Sequence, residues 1–468
     1  MKHPILPAVA LSLAVLLPGC GPCAARTARP DARPATQETA PTPEPMPRGE
    51  LHFVTDQQDG LLYLTDDPNH VAVLDFATGS KQLLCRRQDC PHTGPDCDAW
   101  LGQKMREGVS YSITQSKVFL EGNKLYRVFV TSPDHGGGPR VSTLTVGNPD
   151  GSGQTLLCED FAPDKSGLDI AWLADDDFLY AVYESNPPRE DGLSSERTVV
   201  LRIGKADGSV QQLLDWSAGA EMPTSTARLT SAAVCDDQLV MSLTHPPESH
   251  TGSMAEDAAA TGVTYHVLDL NTGTLGQALP LEQKPRTQQQ ENDPVLVALR
   301  EDTAWQMDGT GTLTIRDLLT GQVLQQYPDL WPDDLELESI FAVTDRCIAI
   351  DGACYTDAPD GGTVYEPHRL VFDRADGSLL RELPATWLKD GASPRLPDLY
   401  AENGTRAILR VDSRLGTATD MGQDGSVYTH PTEEPVYGVI DLDAYLDGSQ
   451  DWTLCTPEDL GPVSPTAP

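Results

Sequence analysis

The sequence lacks the compact motifs that mark the common enzyme classes. It has no phosphate-binding P-loop, no dinucleotide-binding glycine fingerprint, no His-Glu-x-x-His motif and no Gly-x-Ser-x-Gly nucleophile elbow. We therefore assign no catalytic residue, and the sequence favours a protein without catalysis. A glycosidase pair of carboxylates stays open, because the chain has 70 acidic residues and the two members of such a pair need not be close in sequence.

The sequence also has no apolar stretch long enough to cross a bilayer, which takes about 20 residues. The shorter apolar run from Ile5 to Leu17 is typical of a signal peptide. Leu17-Pro18-Gly19-Cys20 resembles the lipobox of bacterial lipoproteins. This resemblance implies removal of residues 1–19, a lipid on the sulfur of Cys20, and a chain anchored in the cell membrane on the extracytoplasmic side. The alternative is an ordinary secretory signal with a chance cysteine.

Positive charge is scarce, with 33 basic against 70 acidic residues and a formal net charge of −37. Such an acidic surface repels nucleic acid and anionic lipid headgroups, so we predict no nucleic-acid partner. It favours cationic partners or divalent ions, although an acidic surface that serves solubility is the simpler interpretation. Residues 20–49 are rich in Pro, Ala and Thr and predict a disordered tether behind the lipid. We place the folded domain at residues 50–460 and a flexible tail at 461–468.

Helical periodicity is absent over any long stretch, and a strand–turn–strand phrase recurs instead. In each phrase, a run with β-branched and apolar residues leads to a tight turn that contains glycine, which accepts positive φ without steric cost. The turn glycines are Gly79, Gly151, Gly208, Gly273, Gly321, Gly377 and Gly448.

The intervals between these glycines each have room for four strands. Repeated four-stranded units predict an all-β fold, a β-propeller of seven blades, with six or eight blades as alternatives. A stack of β-sandwiches is the alternative fold, which the common repeat length disfavours. We expect segment 51–55 or 61–65 to join the last blade and close the ring.

Three cysteines and one histidine lie within thirteen residues, in the pattern Cys85-x₄-Cys90-x-His92-x₄-Cys97. Three thiolates and an imidazole could form a closed tetrahedral zinc site, whose role would be structural. Disulfides are the default outside the cytoplasm, so a Cys90–Cys97 or Cys85–Cys97 bridge is the favoured interpretation. Reduced thiols are the third alternative, and no cofactor is certain.

This cysteine pattern resembles one found in extracytoplasmic, propeller-like lipoproteins of Gram-positive bacteria, a largely uncharacterised group. The resemblance implies placement and fold, without an activity.

Two further features of the sequence could form a disulfide or a metal site. Cys347 and Cys354 flank Asp351-Gly352, which predicts a hairpin across which a disulfide could form if a bulge brings the sulfurs together. The acidic run Asp175-Asp176-Asp177 offers oxygen ligands for calcium, but we favour a solvated turn between strands.

Together these features predict a membrane-anchored extracytoplasmic propeller that acts as a ligand- or protein-binding or scaffold module. Its partner would be an unidentified surface protein, glycan or peptide. The alternative is an extracellular hydrolase or lyase acting on glycans or peptides at the propeller centre, because propellers host both binders and hydrolases.

Overall fold

The fold was analysed in a computed structural model. It describes residues 49–455, apart from segments 68–69, 93–95, 102–103, 107–108, 134–139, 163–170, 186–196, 218–231, 246–252, 254–255, 257–258, 282, 285, 291–292, 294, 358–362, 390–392 and 422–426. The predicted signal peptide, the lipidation site Cys20, almost all of the tether and the predicted tail lie outside the described residues. Within them, no helix is long and apolar enough to cross a membrane.

The chain forms a seven-bladed β-propeller, as the sequence predicts. A two-residue strand, β1 (His52–Phe53), precedes the blades. Blade 1 contains β2 (Gln57–Gln58), β3 (Leu61–Asp67), β4 (His70–Asp75) and β5 (Lys81–Leu83). Blade 2 contains β6 (Lys104–Arg106), β7 (Val109–Glu121), β8 (Lys124–Pro133), β9 (Val141–Gly147) and β10 (Thr155–Glu159). Blade 3 contains β11 (Ala171–Ala174), β12 (Phe178–Ser185), β13 (Arg197–Gly204) and β14 (Val210–Ser217).

The remaining blades follow the same plan. Blade 4 contains β15 (Ala232–Cys235), β16 (Gln238–His245), β17 (Gly262–Asp269) and β18 (Thr274–Ala278). Blade 5 follows a 3₁₀ turn at Arg286–Gln288 and contains β19 (Val295–Arg300), β20 (Thr303–Met307), β21 (Leu313–Asp317) and β22 (Val323–Tyr327). Blade 6 contains β23 (Glu336–Val343), β24 (Cys347–Asp357), β25 (Thr363–Asp373) and β26 (Leu379–Leu383).

A small hairpin of β27 (Trp387–Lys389) and β28 (Ser393–Arg395) leads to the last blade. Blade 7 contains β29 (Asp398–Glu402), β30 (Arg406–Met421), β31 (Val427–Asp441) and β32 (Thr453–Leu454), with helix α1 (Leu442–Leu446) before β32.

Every blade is an antiparallel meander, and each predicted turn glycine lies between the last two strands of its blade. All seven glycines have positive φ, from 67° to 92°. The last strands carry many of the exposed apolar side chains, including Leu156, Val210 and Leu379, which places these strands at the rim of the ring.

Neighbouring blades meet at these glycine turns. A Cβ built on Gly208 of blade 3 would lie 2.0 Å from the carbonyl oxygen of Leu157, on the last strand of blade 2. A Cβ on Gly273 of blade 4 would lie 2.1 Å from the carbonyl oxygen of Leu213 in blade 3. The turn therefore rests directly on the backbone of the preceding blade, where only glycine fits.

The ring closes by the same contact, and the predicted closure by a shared strand is wrong. Segment 61–67 belongs to blade 1, and β1 pairs with β11 of blade 3. Blade 7 supplies all four of its own strands. The Cβ position of Gly79 in blade 1 lies 3.4 Å from the carbonyl oxygen of Leu454 in blade 7, and apolar side chains of the two blades pack beneath it.

The predicted hairpin between Cys347 and Cys354 is also wrong, because both residues lie on the continuous strand β24. Seven residues of extended chain separate their Cα atoms by about 23 Å, far beyond the span of a disulfide. Asp351 and Gly352 have other roles. The Asp351 carboxylate binds the guanidinium of Arg369, and a Cβ on Gly352 would lie 2.3 Å from the Trp331 ring.

Candidate metal centre

The Cys/His cluster, defined as Cys85, Cys90, His92 and Cys97, lies in the connection between blade 1 and blade 2. Both ends of this connection are buried. Leu84, Cys85, Cys97, Ala99 and Leu101 pack against apolar side chains of both blades. The cluster therefore sits at an interface between blades, where the apolar residues around the cysteines fix the ends of the loop.

The four candidate ligand atoms come together as the spacing predicts. They lie within 4.8 Å of one another, and His92 Nδ1 is 3.3 Å from Cys97 Sγ. His92 adopts a positive φ of 55°, an uncommon conformation for a non-glycine residue. His92 is the residue directly after Pro91. Cys85, Cys90 and Cys97 are free thiols in this structure, so neither of the two predicted disulfides is formed.

Contacts from blade 1 hold the histidine end of the cluster. His70, the first residue of β4, donates from Nε2 to the carbonyl of His92 over 2.7 Å. The His70 ring packs edge-on against Trp100, with 5.0 Å between ring centroids. These contacts set the position of His92 through its backbone and leave its ring free to face the cysteines.

Contacts from blade 2 hold the other end through Arg127, a buried residue of β8. Its guanidinium donates to the carbonyls of Asp98, Trp100 (3.1 Å) and Gly151 (3.4 Å). Burial lowers the pKa of Arg127 to about 10, although the nearby Asp98 and Cys97 oppose this effect. The arginine therefore ties the loop to blade 2 and places a positive charge behind the cluster.

A second arginine, Arg87, covers the exposed side. Its Nη2 lies 3.7 Å from Cys90 Sγ and also donates to the carbonyl of Asp96, and its Nε lies 3.2 Å from a carboxylate oxygen of Asp98. Positive charge on both sides stabilises thiolates, the form of cysteine that binds metal.

The two buried thiols respond to this environment in opposite ways. Burial opposes ionisation of Cys85, but hydrogen bonds from Arg87, the backbone of Asp98 and Cys90 outweigh it and lower its pKa to about 7. Burial raises the pKa of Cys97 to about 12, and the neighbouring Cys90 and Cys85 add to the rise, although a hydrogen bond from Ala99 opposes it. Of these two thiols, Cys85 is therefore the one that ionises more readily.

Three sulfurs and one ring nitrogen are a complete tetrahedral donor set. Zinc–sulfur bonds of about 2.3 Å place the sulfurs of such a site about 3.8 Å apart, so the observed atoms need to draw together only slightly. Chemically, the cluster could hold a metal ion with all four positions taken by protein.

The sequence identified the four cluster residues but not the residues whose contacts hold the cluster in place. Arg127 could have been singled out from the sequence, because it is a charged residue inside the otherwise apolar run Leu125–Val130. The contacts of His70 and Arg87 join residues whose approach depends on the loop conformation, so sequence spacing does not reveal them. The remaining described cysteines, Cys158, Cys235, Cys347, Cys354 and Cys455, lie outside the cluster.

The acidic run at residues 175–177 forms a turn between the first two strands of blade 3. The Asp175 carboxylate accepts hydrogen bonds from the backbone of Asp177 (3.0 Å), the backbone of Phe178 (2.8 Å) and the hydroxyl of Tyr180 (2.6 Å). Asp175 is therefore a buried turn residue that stabilises its own loop.

No protein-family model and no curated protein matches this sequence. Among solved structures, the chain is similar to the C-terminal WD40 domain of Sif2, with 11% identity over 85% of each chain and a TM-score of 0.33. It is also similar to BamB from Moraxella catarrhalis, with 12% identity over 82% of this chain and 98% of that one (TM-score 0.32). An oligogalacturonate lyase in complex with manganese matches with 11% identity over 82% of this chain and 85% of that one (TM-score 0.35). The seven blades of the chain itself define its fold.

Proposed function

We propose that this chain is a lipid-anchored, extracytoplasmic β-propeller that binds a ligand or a protein without catalysis, and that its Cys/His cluster is a structural zinc site. The observation that carries the structural role of the zinc is the closed donor set of the cluster. A catalytic zinc keeps one position open for water or substrate, whereas three cysteines and a histidine leave none.

Zinc is the ion that fits this donor set. Thiolate and imidazole ligands suit zinc, whereas calcium and magnesium prefer oxygen. The position between two blades supports a structural role, because an ion there would fix the loop that carries the chain from blade 1 to blade 2.

Loss of the metal should therefore weaken this junction. We expect a strong chelator to lower the melting temperature of the wild-type protein and to leave His92→Ala, which lacks one ligand, unchanged. Cys158→Ser is the matched control, since it removes a buried cysteine outside the cluster and should keep the chelator effect. An equal response of wild type and His92→Ala to the chelator would contradict a zinc site made of these residues.

The binding role is tested by separating binding from turnover. The full chain is incubated with a broad panel of glycans and peptides, and both retention and cleavage are followed by mass spectrometry. We expect stoichiometric retention of a ligand without any change in its mass. Sustained cleavage of a glycan or peptide would instead establish the extracellular hydrolase or lyase.

The lipobox sequence and the tether support the anchor. If Cys20 carries the lipid, wild-type protein should fractionate with membranes and Cys20→Ser should be released into the soluble extracytoplasmic fraction. Retention of Cys20→Ser in the membrane fraction would count against a lipid at this cysteine.

A further inference from the structure

A cavity of about 1050 Å³ opens where the first strands of blades 5, 6 and 7 end. Three turns line it, at residues 300–303, 343–346 and 404–405. Leu299, Ile315 and Leu324 give it an apolar wall. Its volume is at the upper end of the range of about 300–1,000 Å³ that is usual for ligand pockets.

Two of the three arginines in this cavity are already bound. Arg346 pairs with both carboxylate oxygens of Asp447 at 2.9 Å. Arg374 donates to the carbonyl of Thr344 over 2.9 Å. Both guanidinium groups therefore hold the walls of the cavity together.

Arg300 differs from these two. Within the described part of the chain, its guanidinium has no hydrogen-bond or ion-pair partner, although the side chain is half-buried. Burial lowers the pKa of Arg300, while Glu402 and Glu301 oppose the shift from a distance. An arginine keeps its charge under such a shift, so a partly desolvated cation faces the cavity without a counterion in contact.

The backbone at Arg300 is well fixed. Its carbonyl accepts a hydrogen bond from the Thr303 hydroxyl (2.7 Å), and this hydroxyl accepts one from Nε1 of the buried Trp305 (3.0 Å). The guanidinium is thus presented from a rigid turn, as a binding group needs to be.

The charges around Arg300 select the ligand. Six acidic residues line the same cavity, so a group with two negative charges would be repelled: Glu301, Asp302, Asp345, Glu402, Asp441 and Asp443. A carboxylate carries one charge and matches the planar guanidinium in a bidentate pair. An ammonium group on the same ligand would be attracted by these acidic side chains.

We propose that this cavity binds a short peptide, with its terminal carboxylate on Arg300 and an amino group near Asp302 and Glu402. The volume exceeds what a single amino acid needs, and the apolar wall would contact its side chains. The inference rests on the proposed binding function and names the ligand class of one site.

The test uses a randomised tripeptide library with free carboxyl termini, dialysed against the full-length protein and measured by mass spectrometry. We expect a subset of tripeptides to be retained by the wild type, and their retention to fall at least tenfold in Arg300→Gln. The same library with amidated carboxyl termini should not be retained. Arg316→Gln is the matched control, because it removes a charge from the same blade outside the cavity and should retain the peptides.

Melting temperatures confirm that each variant is folded. Absence of retained tripeptides, equal retention of amidated peptides, or equal loss in Arg300→Gln and Arg316→Gln would each overturn the cavity assignment. The proposed function would survive any of these if the chain still binds another ligand from the glycan panel. Cleaved tripeptides would overturn the non-catalytic function instead, so the two failures are distinguishable.

Discussion

Arg369 shows how single residues stabilise the junction between blades 6 and 7. Its buried guanidinium pairs with both oxygens of Asp351 (2.6 and 2.7 Å) and donates to the hydroxyl of Tyr445 (2.6 Å) and the carbonyl of Pro397 (2.8 Å). The same group stacks 3.4 Å above the centre of the Phe341 ring.

Replacing this arginine should be costly. We expect Arg369→Met to lower the free energy of unfolding by about 3–5 kcal/mol, because it leaves the Asp351 carboxylate without its counterion. Urea unfolding measures the change. Arg395→Met is the control, since Arg395 makes one cation–π contact over Tyr365 at a more open site and should cost about 1 kcal/mol or less. Equal losses in the two variants would rule out a special role for Arg369.

His52 should make the attachment of the first strand depend on pH. Burial disfavours its charged form, but the hydrogen bonds to Glu121 (2.7 Å) and to the Glu50 carbonyl (3.0 Å), with the charge of Glu121, together outweigh this and raise the pKa of His52. The neighbouring Lys205, which also binds Glu121, opposes the rise. The charged histidine therefore stabilises the folded state fully below its unfolded pKa of about 6.5, and this contribution is lost as the pH rises through the higher folded value.

Hydrogen exchange of the Val54 amide, which donates to the carbonyl of Trp172, reports on this strand. At about pH 6, we expect this amide to be better protected from exchange in the wild type than in His52→Gln. The difference in protection should shrink as the pH rises to about 8. The two proteins should converge at the higher pH. A constant difference across the range would show that His52 does not titrate against Glu121.

At the scale of elements, the turns between the last two strands were predictable because their signal is local. Gly208 and its counterparts stand after alternating apolar residues, and each has the positive φ that such a turn needs. The turns at the start of each blade were not predicted from the sequence as a repeated feature. Two of them use Asp or Glu at positive φ without a glycine, at Asp236 and Glu301, so they lack the usual signal.

The strand β24 was misread for a different reason. Asp351 and Gly352 have turn composition, but their roles are an ion pair with Arg369 and close packing on Trp331. Both partners are distant in sequence, and only the folded ring brings them together. The cluster at residues 85–97 was predictable because all its donors lie in one short loop, whereas the cavity combines turns from three blades.

The glycine turns give a direct test of how blades stack. We expect Gly208→Ala to lower the free energy of unfolding by about 2–4 kcal/mol, from the positive φ and from the clash with the carbonyl of Leu157. Gly122→Ala is the control, because Gly122 also has positive φ but no atom lies within 4 Å of its Cβ position. It should cost about 1 kcal/mol. Denaturant unfolding of both variants distinguishes the two effects, and equal costs would mean that the contact between blades contributes nothing.

At the scale of the whole molecule, the blades repeat an acidic residue at equivalent positions on one face of the ring. Every blade has one at the turn between its fourth-last and third-last strands: Asp59, Glu121, Asp175, Asp236, Glu301, Asp345 and Glu402. In an antiparallel meander, these turns and the glycine turns lie at the same end of the blade. Hydrogen bonds between the two turns, such as Leu318 N to the Asp302 carbonyl, confirm this in several blades.

This distribution should make the protein more stable at moderate salt. With a net charge of −37, repulsion between acidic turns opposes folding, and screening reduces it. We expect the melting temperature to rise by a few degrees between about 0.01 and about 0.3 M sodium chloride. The same osmolarity of sucrose is the control for effects unrelated to charge. A melting temperature that falls with salt would indicate that attractive ion pairs dominate the surface.

The state of Cys85, Cys90, His92 and Cys97 decides whether the junction of blades 1 and 2 is held by zinc, and one measurement determines it directly. The full-length protein is exported to an oxidising compartment and purified without chelators, and its metal content and titratable thiols are determined together. We predict one zinc per chain, with the cluster thiols reacting only after the metal is removed. Protein without metal, in which the cluster thiols appear only after reduction, would contradict the account and establish a disulfide at the junction of blades 1 and 2.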